Sequence, residues 1–223
     1  MARLIVCVTG PDGSGKSTQV KSLARRLRQA GRSVATSTIW DQLSDPAFDG
    51  HRLFERQSDA DEYLALLAPT SRMHFLCHAI SESMTRALAE HSDVLLLNAY
   101  WYKYFATEVA HGGDRSTLRA IAAALPKPDV TFYLRISITE TAQRKATFTG
   151  YETGLAATRS PEAFASFQPP ALAELEALAA ELDWTALAGD GAQRDIAERL
   201  LEEVTAKLHT SRDRGEVAAG GRR

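Results

Sequence analysis

The chain has 223 residues, 44% of them hydrophobic and 24% charged, with a formal net charge of -2, which is the usage of one globular domain of the larger kind. Apart from the terminal Arg222-Arg223 there is no basic block, so composition excludes an electrostatic footprint for nucleic acid and favours a small ligand. The two cysteines, Cys7 and Cys77, have no CxxC or metal-ligand spacing and are expected to be buried, reduced thiols. No apolar run reaches signal-peptide or bilayer length, so a cytoplasmic location with no membrane partner is expected.

In chain order, strand-like apolar runs fall at Leu4–Val8, Ser33–Trp40, Val94–Leu97, Val130–Ile136 and Trp184–Ala188, with helical periodicity between them. The continuous run Val94-Leu95-Leu96-Leu97 suits a strand covered on both faces, so the pattern predicts an α/β sandwich, a five-stranded parallel sheet flanked by helices. Ser137-Ile138-Thr139-Glu140 has the form of a capping box, and Ser160-Pro161-Glu162 sets a cap, a first-turn proline and an acid in order. Between them, about 147–159, a polar stretch holding Gly150 and Gly154 reads as a mobile loop. From Thr210 onward little is left to bury. The expected organisation is therefore one domain over 1–209, a lid at about 144–159 and a frayed tail over 210–223.

Directly after the first run comes Gly10-Pro11-Asp12-Gly13-Ser14-Gly15-Lys16-Ser17-Thr18, which satisfies GxxxxGK[ST] in its context of strand, loop and helix. Glycines there let successive backbone N–H groups turn inward at the positive end of a helix dipole, where polyphosphate binds. Lys16 is then expected at the β- and γ-phosphates of ATP, with the Ser17 hydroxyl on Mg²⁺. A glycine-rich turn beneath a core helix would explain the glycines but not the lysine and hydroxyls that follow.

The stretch Gly10 to Thr18, continued by Gln19, resembles the phosphate loop of the thymidylate kinase family, and the likeness extends along nearly all of the chain. The resemblance implies transfer of a phosphoryl group from ATP to a nucleoside monophosphate, dTMP first. It also implies that Asp12 holds the acceptor sugar, that Phe75 stacks on its base, and that a homodimer forms. Ser14 stands where one subtype carries an arginine, so the resemblance moves that role to lid cations: Arg144, Lys145 and Arg159. Ala188-Gly189-Asp190-Gly191-Ala192 resembles the loop bordering adenine.

The pattern breaks in the acceptor region. Asn98-Ala99-Tyr100 replaces the family's Asp-Arg-Tyr, Trp40-Asp41-Gln42 replaces an Arg-Glu-Pro type sequence, and Ala79 stands where an arginine is expected. Alanine cannot supply the planar, permanently charged fork that arginine offers phosphate. Arg72 and Lys103 are the neighbouring cations that would compensate, with Asn98 and Tyr100 still bordering the acceptor. A second resemblance, to deoxynucleoside kinases, rests on Tyr133-Leu134-Arg135 and on an acid at the end of the second strand. It implies a neutral hydroxyl acceptor with Asp41 as base; an Asp capping its own turn is the competing reading. A third reading is a nucleotide-binding protein with weakened turnover, since Asn98 lacks the charge to ligate Mg²⁺ firmly.

Overall fold

The computed structural model describes residues 3–43 and 45–220, with side chains for all of these except 42 and 211–220. Strand β1 (Leu4–Thr9) lies at the centre of a sheet ordered β2-β3-β1-β4-β5, completed by β2 (Val34–Ser37), β3 (Val94–Asn98), β4 (Val130–Arg135) and β5 (Thr185–Ala188). Every pairing is parallel: Leu4 faces Val94, Val6 faces Val130, Val34 also faces Val94, and Phe132 faces Thr185.

The period-two alternation of these strands assigns each side chain to one of two cores. Leu4, Val6, Val8, Leu96, Phe132 and Leu134 pack against α1 (Lys16–Gln29) and α8 (Gln193–Gly220). Cys7, Leu95, Leu97 and Tyr133 face the opposite way, onto α3 (Pro69–Ala89), α4 (Tyr100–Ala110), α5 (Arg115–Ala122) and α7 (Pro161–Glu181). Helix α2 (Gln57–Leu66) precedes α3, and α6 (Ile138–Arg144) follows β4. This is the doubly covered parallel sheet expected from the apolar runs, and it brings the strand carboxyl ends to one edge, where such folds place ligands. Cys7 and Cys77 are free and buried.

Two local signals act as read. Ser137 Oγ accepts from the Glu140 backbone N–H at 3.2 Å to open α6, and Ser160 Oγ accepts from Ala163 N–H at 3.2 Å to open α7. The second strand is shorter than its apolar run, because the chain turns at Thr38 and the Asp41 carboxylate accepts the Thr38 N–H at 2.8 Å. The polar stretch expected to be a mobile loop is folded down: Tyr151, Glu152 and Thr153 form a buried 3-10 turn, and Gln168 Nε2 donates to the Glu152 carbonyl at 2.8 Å. The segment expected as a frayed tail runs on as the backbone of α8 to Gly220, and residues 221–223 lie outside the described residues. Among the described residues, no helix is long and apolar enough to cross a membrane.

Candidate active site

At the carboxyl end of β1 the chain wraps into a loop and enters α1 at Lys16. Gly10 has φ +153°, and a Cβ there would stand 2.8 Å from the Leu134 carbonyl oxygen and 2.8 Å from Ser14 Oγ, so no other residue lets the loop pass so close to β4. Gly15 has φ +91° with nothing within 4 Å of a would-be Cβ, leaving the mouth of α1 open to a ligand. The Lys16 ammonium is nearly buried and turns back onto its own loop, donating to the Pro11 carbonyl at 2.6 Å and to Ser14 Oγ at 3.4 Å. Burial first, then Lys103 and Lys145 against the pull of Asp12, brings Lys16 down to about 8. A buried cation held mainly by neutral oxygens is poised for an anion.

The loop borders a cavity of about 400 Å³. Asp12 and Lys103 meet there, Lys103 Nζ lying 2.9 Å from Asp12 Oδ1, while Asp12 Oδ2 has no partner. Burial works to raise the Asp12 carboxyl, but Lys103 and Lys16 hold it below the usual carboxylate range. Burial works to lower Lys103, and Asp12, Tyr104 and Glu152 raise it well above an ordinary lysine. From the buried turn Tyr151–Thr153, Glu152 also lines the cavity; Lys145 Nζ reaches its Oε1 at 3.0 Å. The cavity is also lined from α2 by Gln57, Asp61 and Leu64, and from the turn after β2 by Thr38, Ile39 and Trp40. Asp61 is half-buried and is pushed up to about 6, chiefly by burial.

The structure brings together the loop residues, Asp12, Lys16, Ser17, Thr18 and Asn98, and it separates the others. Arg72, expected to reach an acceptor phosphate, is only 1% exposed; its Nε lies 2.9 Å from Glu108 Oε2, and its Nη1 donates to the Leu64 and Leu67 carbonyls. Arg144, expected to clamp the transferring phosphate, instead donates to the Gly189 carbonyl at 2.8 Å and the Asp190 carbonyl at 3.4 Å, bracing the loop after β5. Lys145 leans its stem over Gly13, 3.2 Å from a would-be Cβ, but its ammonium is taken by Glu152, and Arg159 is exposed. Asp41 turns its carboxylate to the Thr38 N–H and does not line the cavity, which favours the capping role over the base. Tyr100 is buried, its hydroxyl donating to the Pro126 carbonyl at 2.7 Å away from the cleft. Phe75 packs edge-on against Phe54 and Tyr63, at 5.9 and 5.7 Å between ring centroids, and faces a separate cavity of about 210 Å³ with Ala79 and His78. The two cavities share Ile39 and Trp40.

Sequence reasoning missed Asp61 and Gln57 altogether, although they stand four apart on α2 with Leu64 three residues beyond Asp61, a spacing that puts all three on one face.

The residues present fit a nucleotide polyphosphate, on the strength of the glycine cradle and the inward lysine. A magnesium ion accompanying it would rest on Ser17 Oγ, which accepts from Asn98 Nδ2 at 3.0 Å, while Asn98 Oδ1 is buried without a partner and offers a neutral oxygen. Among the described residues no group of three or more His, Cys, Asp or Glu is arranged to hold a metal. A cation here would therefore depend mainly on phosphate oxygens, as hard divalent ions at nucleotide sites commonly do.

The fold is similar to a solved deoxyadenosine kinase from M. mycoides, with a TM-score of 0.61 and 13% sequence identity over 91% of this chain and 100% of that one; at that identity the likeness speaks for the fold alone. Among curated proteins, a thymidylate kinase of Chlorobium luteolum is 33% identical over 150 residues, covering 64% of this chain and 66% of its own length. A thymidylate kinase of a Roseiflexus species is 32% identical over 151 residues, covering 64% and 63%. The match thus spans a little under two thirds of those relatives. The family model described as thymidylate kinase matches residues 8–177, from the end of β1 to within α7. With the phosphate loop and the whole cavity lining inside that span, this chain belongs to the thymidylate kinase family.

Proposed function

We propose that this protein transfers the terminal phosphoryl group of ATP, with Mg²⁺, to a small nucleoside-like acceptor seated in the cavity beside the phosphate loop. The observation that carries the reading is the loop itself: a glycine-shaped cradle at the mouth of α1, with the Lys16 ammonium buried inside it and bound to loop oxygens at 2.6 and 3.4 Å. When phosphates enter, Lys16 exchanges those neutral partners for charged ones, a stronger bond by roughly twofold. Bound Mg²⁺ would add charge neutralisation at the same oxygens. Lys103, fixed by Asp12, stands on the acceptor side, and the carboxylate left partly unpartnered on Asp12 is free to accept from an acceptor hydroxyl. The folded lid segment, with Tyr151 and Glu152 on the cavity wall, keeps water away from the transferring group.

Family membership makes dTMP the first acceptor to test. A second reading, a neutral hydroxyl acceptor, is favoured by a specific observation: no arginine lines the cavity among the described residues, and Arg72 is spent on Glu108. The deciding experiment incubates the protein with ATP, Mg²⁺ and a panel of monophosphates, nucleosides and unrelated alcohols, following ADP release and product mass. Turnover with any of these classes supports phosphotransfer; tight ATP binding with no product from any of them would instead leave a nucleotide-binding protein.

A further inference from the structure

We infer that Asp61 is the carboxylate that takes the proton from the acceptor hydroxyl, with Gln57 beside it reading the acceptor's polar edge, so that the acceptor is an uncharged or cationic alcohol and not a monophosphate. The inference rests on the phosphotransfer reading and deepens it by naming the substrate class.

Charge is the first support. The cavity wall carries Asp12, Asp61 and Glu152 against Lys16 and Lys103. Lys103 is already closed on Asp12 at 2.9 Å, and the nearby Lys145 on Glu152 at 3.0 Å. Lys16 is committed to the nucleotide. Arg159 acts on Asp61 without lining the cavity, so the opposing charges are roughly matched, and among the described lining residues no arginine fork is left to grip an acceptor phosphate dianion. A hydroxyl, or an ammonium-bearing alcohol, needs no such grip.

Position is the second. Gln57 and Asp61 stand four apart on α2 and line the same cavity as the phosphate loop residues Asp12, Lys16 and Ser17. An amide beside a carboxylate offers two donors and several acceptors, the equipment for holding a neutral polar molecule. Asp61 is faced by Lys103 from α4, by Glu152 and Arg159 from the lid segment, and by Asp12 from the loop. Burial is the largest influence and sets the group at about 6, opposed by Lys103 and Arg159 and assisted by Glu152 and Asp12. It is thus ionised near neutrality and still basic enough to accept a proton during transfer, the combination that general-base catalysis needs.

The step balances. The acceptor oxygen forms a bond to the γ-phosphorus of ATP, and the bond from that phosphorus to the β,γ-bridging oxygen breaks. Its electron pair leaves with ADP. The hydroxyl proton passes to Asp61 and then to water.

The test compares thymidine, an amino-sugar alcohol and dTMP as acceptors at saturating ATP, using the unmodified protein, Asp61→Asn, Asp61→Glu and Gln57→Ala. We expect kcat/KM at least about tenfold higher with an uncharged or cationic alcohol than with dTMP. Asp61→Asn should lower kcat about 10²- to 10⁴-fold with the KM for ATP little changed, and Asp61→Glu should restore part of it. In the unmodified protein kcat should fall on the acid side with a midpoint near 6. That limb does not depend on any variant folding, so its absence between pH 5 and 7 overturns the inference. Turnover confined to dTMP also overturns it while leaving phosphotransfer standing, whereas no turnover with either class overturns both.

Discussion

Lys103 Nζ lies 2.9 Å from Asp12 Oδ1, so this cation and acid beside the phosphate loop are closed on each other, both side chains nearly out of solvent at 12% and 13% exposure. The pair spans α4 and the phosphate loop, tying the helix after β3 to the loop after β1. Its geometry means that neither group acts alone.

A double-mutant cycle tests that coupling. Asp12→Asn and Lys103→Met should each destabilise the protein, and the double variant should lose less than the sum, with an interaction energy of roughly 0.5–3 kcal/mol in denaturant unfolding. Additive losses would mean that the two groups do not stabilise each other.

Arg72 and Glu108 are buried at 2% and 0% side-chain exposure, and burial pushes Glu108 above its ordinary value against the pull of Arg72. Removing one member leaves an unpaired interior charge. Glu108→Ala should therefore lose about 3–5 kcal/mol of unfolding free energy, while the folded fraction keeps its acceptor KM. A raised KM with normal stability would return Arg72 to the acceptor site.

Asp41 accepts the Thr38 N–H at 2.8 Å and so holds the turn that ends β2. Asp41→Ala should lower stability by about 1 kcal/mol and change kcat on any acceptor less than about twofold. A loss of about 10²-fold or more, the scale of general-base catalysis, would restore its assignment as the base.

His111 packs against the turn at Tyr151, its Nε2 3.1 Å from the Tyr151 carbonyl and its ring 4.5 Å from that of Phe167. Burial, then Arg72, brings it down to about 4, opposed by the Tyr151 carbonyl. The unfolded chain takes up this proton at its ordinary value near 6.5, above the folded one. Stability present above pH 6.5 is therefore lost as pH falls toward 4. Unfolding midpoints measured from pH 7 to 4.5 should fall less steeply in His111→Gln than in the unmodified protein; equal slopes would remove His111 as a cause.

The sheet and the phosphate loop were legible because their signals are local. Leu4, Val6 and Val8 alternate with Ile5 and Cys7, and GxxxxGKS fixes a loop whose backbone needs glycine at Gly10 and Gly15. The acceptor side was not, because it is assembled from contacts distant in sequence. Arg72 sits in a helix beside apolar Met73 and Leu76, and only the fold supplies Glu108, 36 positions away. Arg144 looked available in a lid yet finds backbone carbonyls at Gly189 and Asp190. Tyr100 matches the family's tyrosine in sequence, but its hydroxyl is drawn to Pro126. Asp61 and Gln57 carried a usable trace, a polar pair at helical spacing, whose meaning depends on what α2 faces.

The most direct measurement is ATP binding and turnover by Lys16→Ala beside the unmodified protein, by calorimetric titration and ADP release with an active acceptor. Loss of a charge-assisted hydrogen bond of about 1.5–3 kcal/mol corresponds to roughly 10- to 150-fold weaker binding. We expect at least the tenfold loss, with turnover falling further. Unaltered affinity and rate in Lys16→Ala would contradict the account at its foundation.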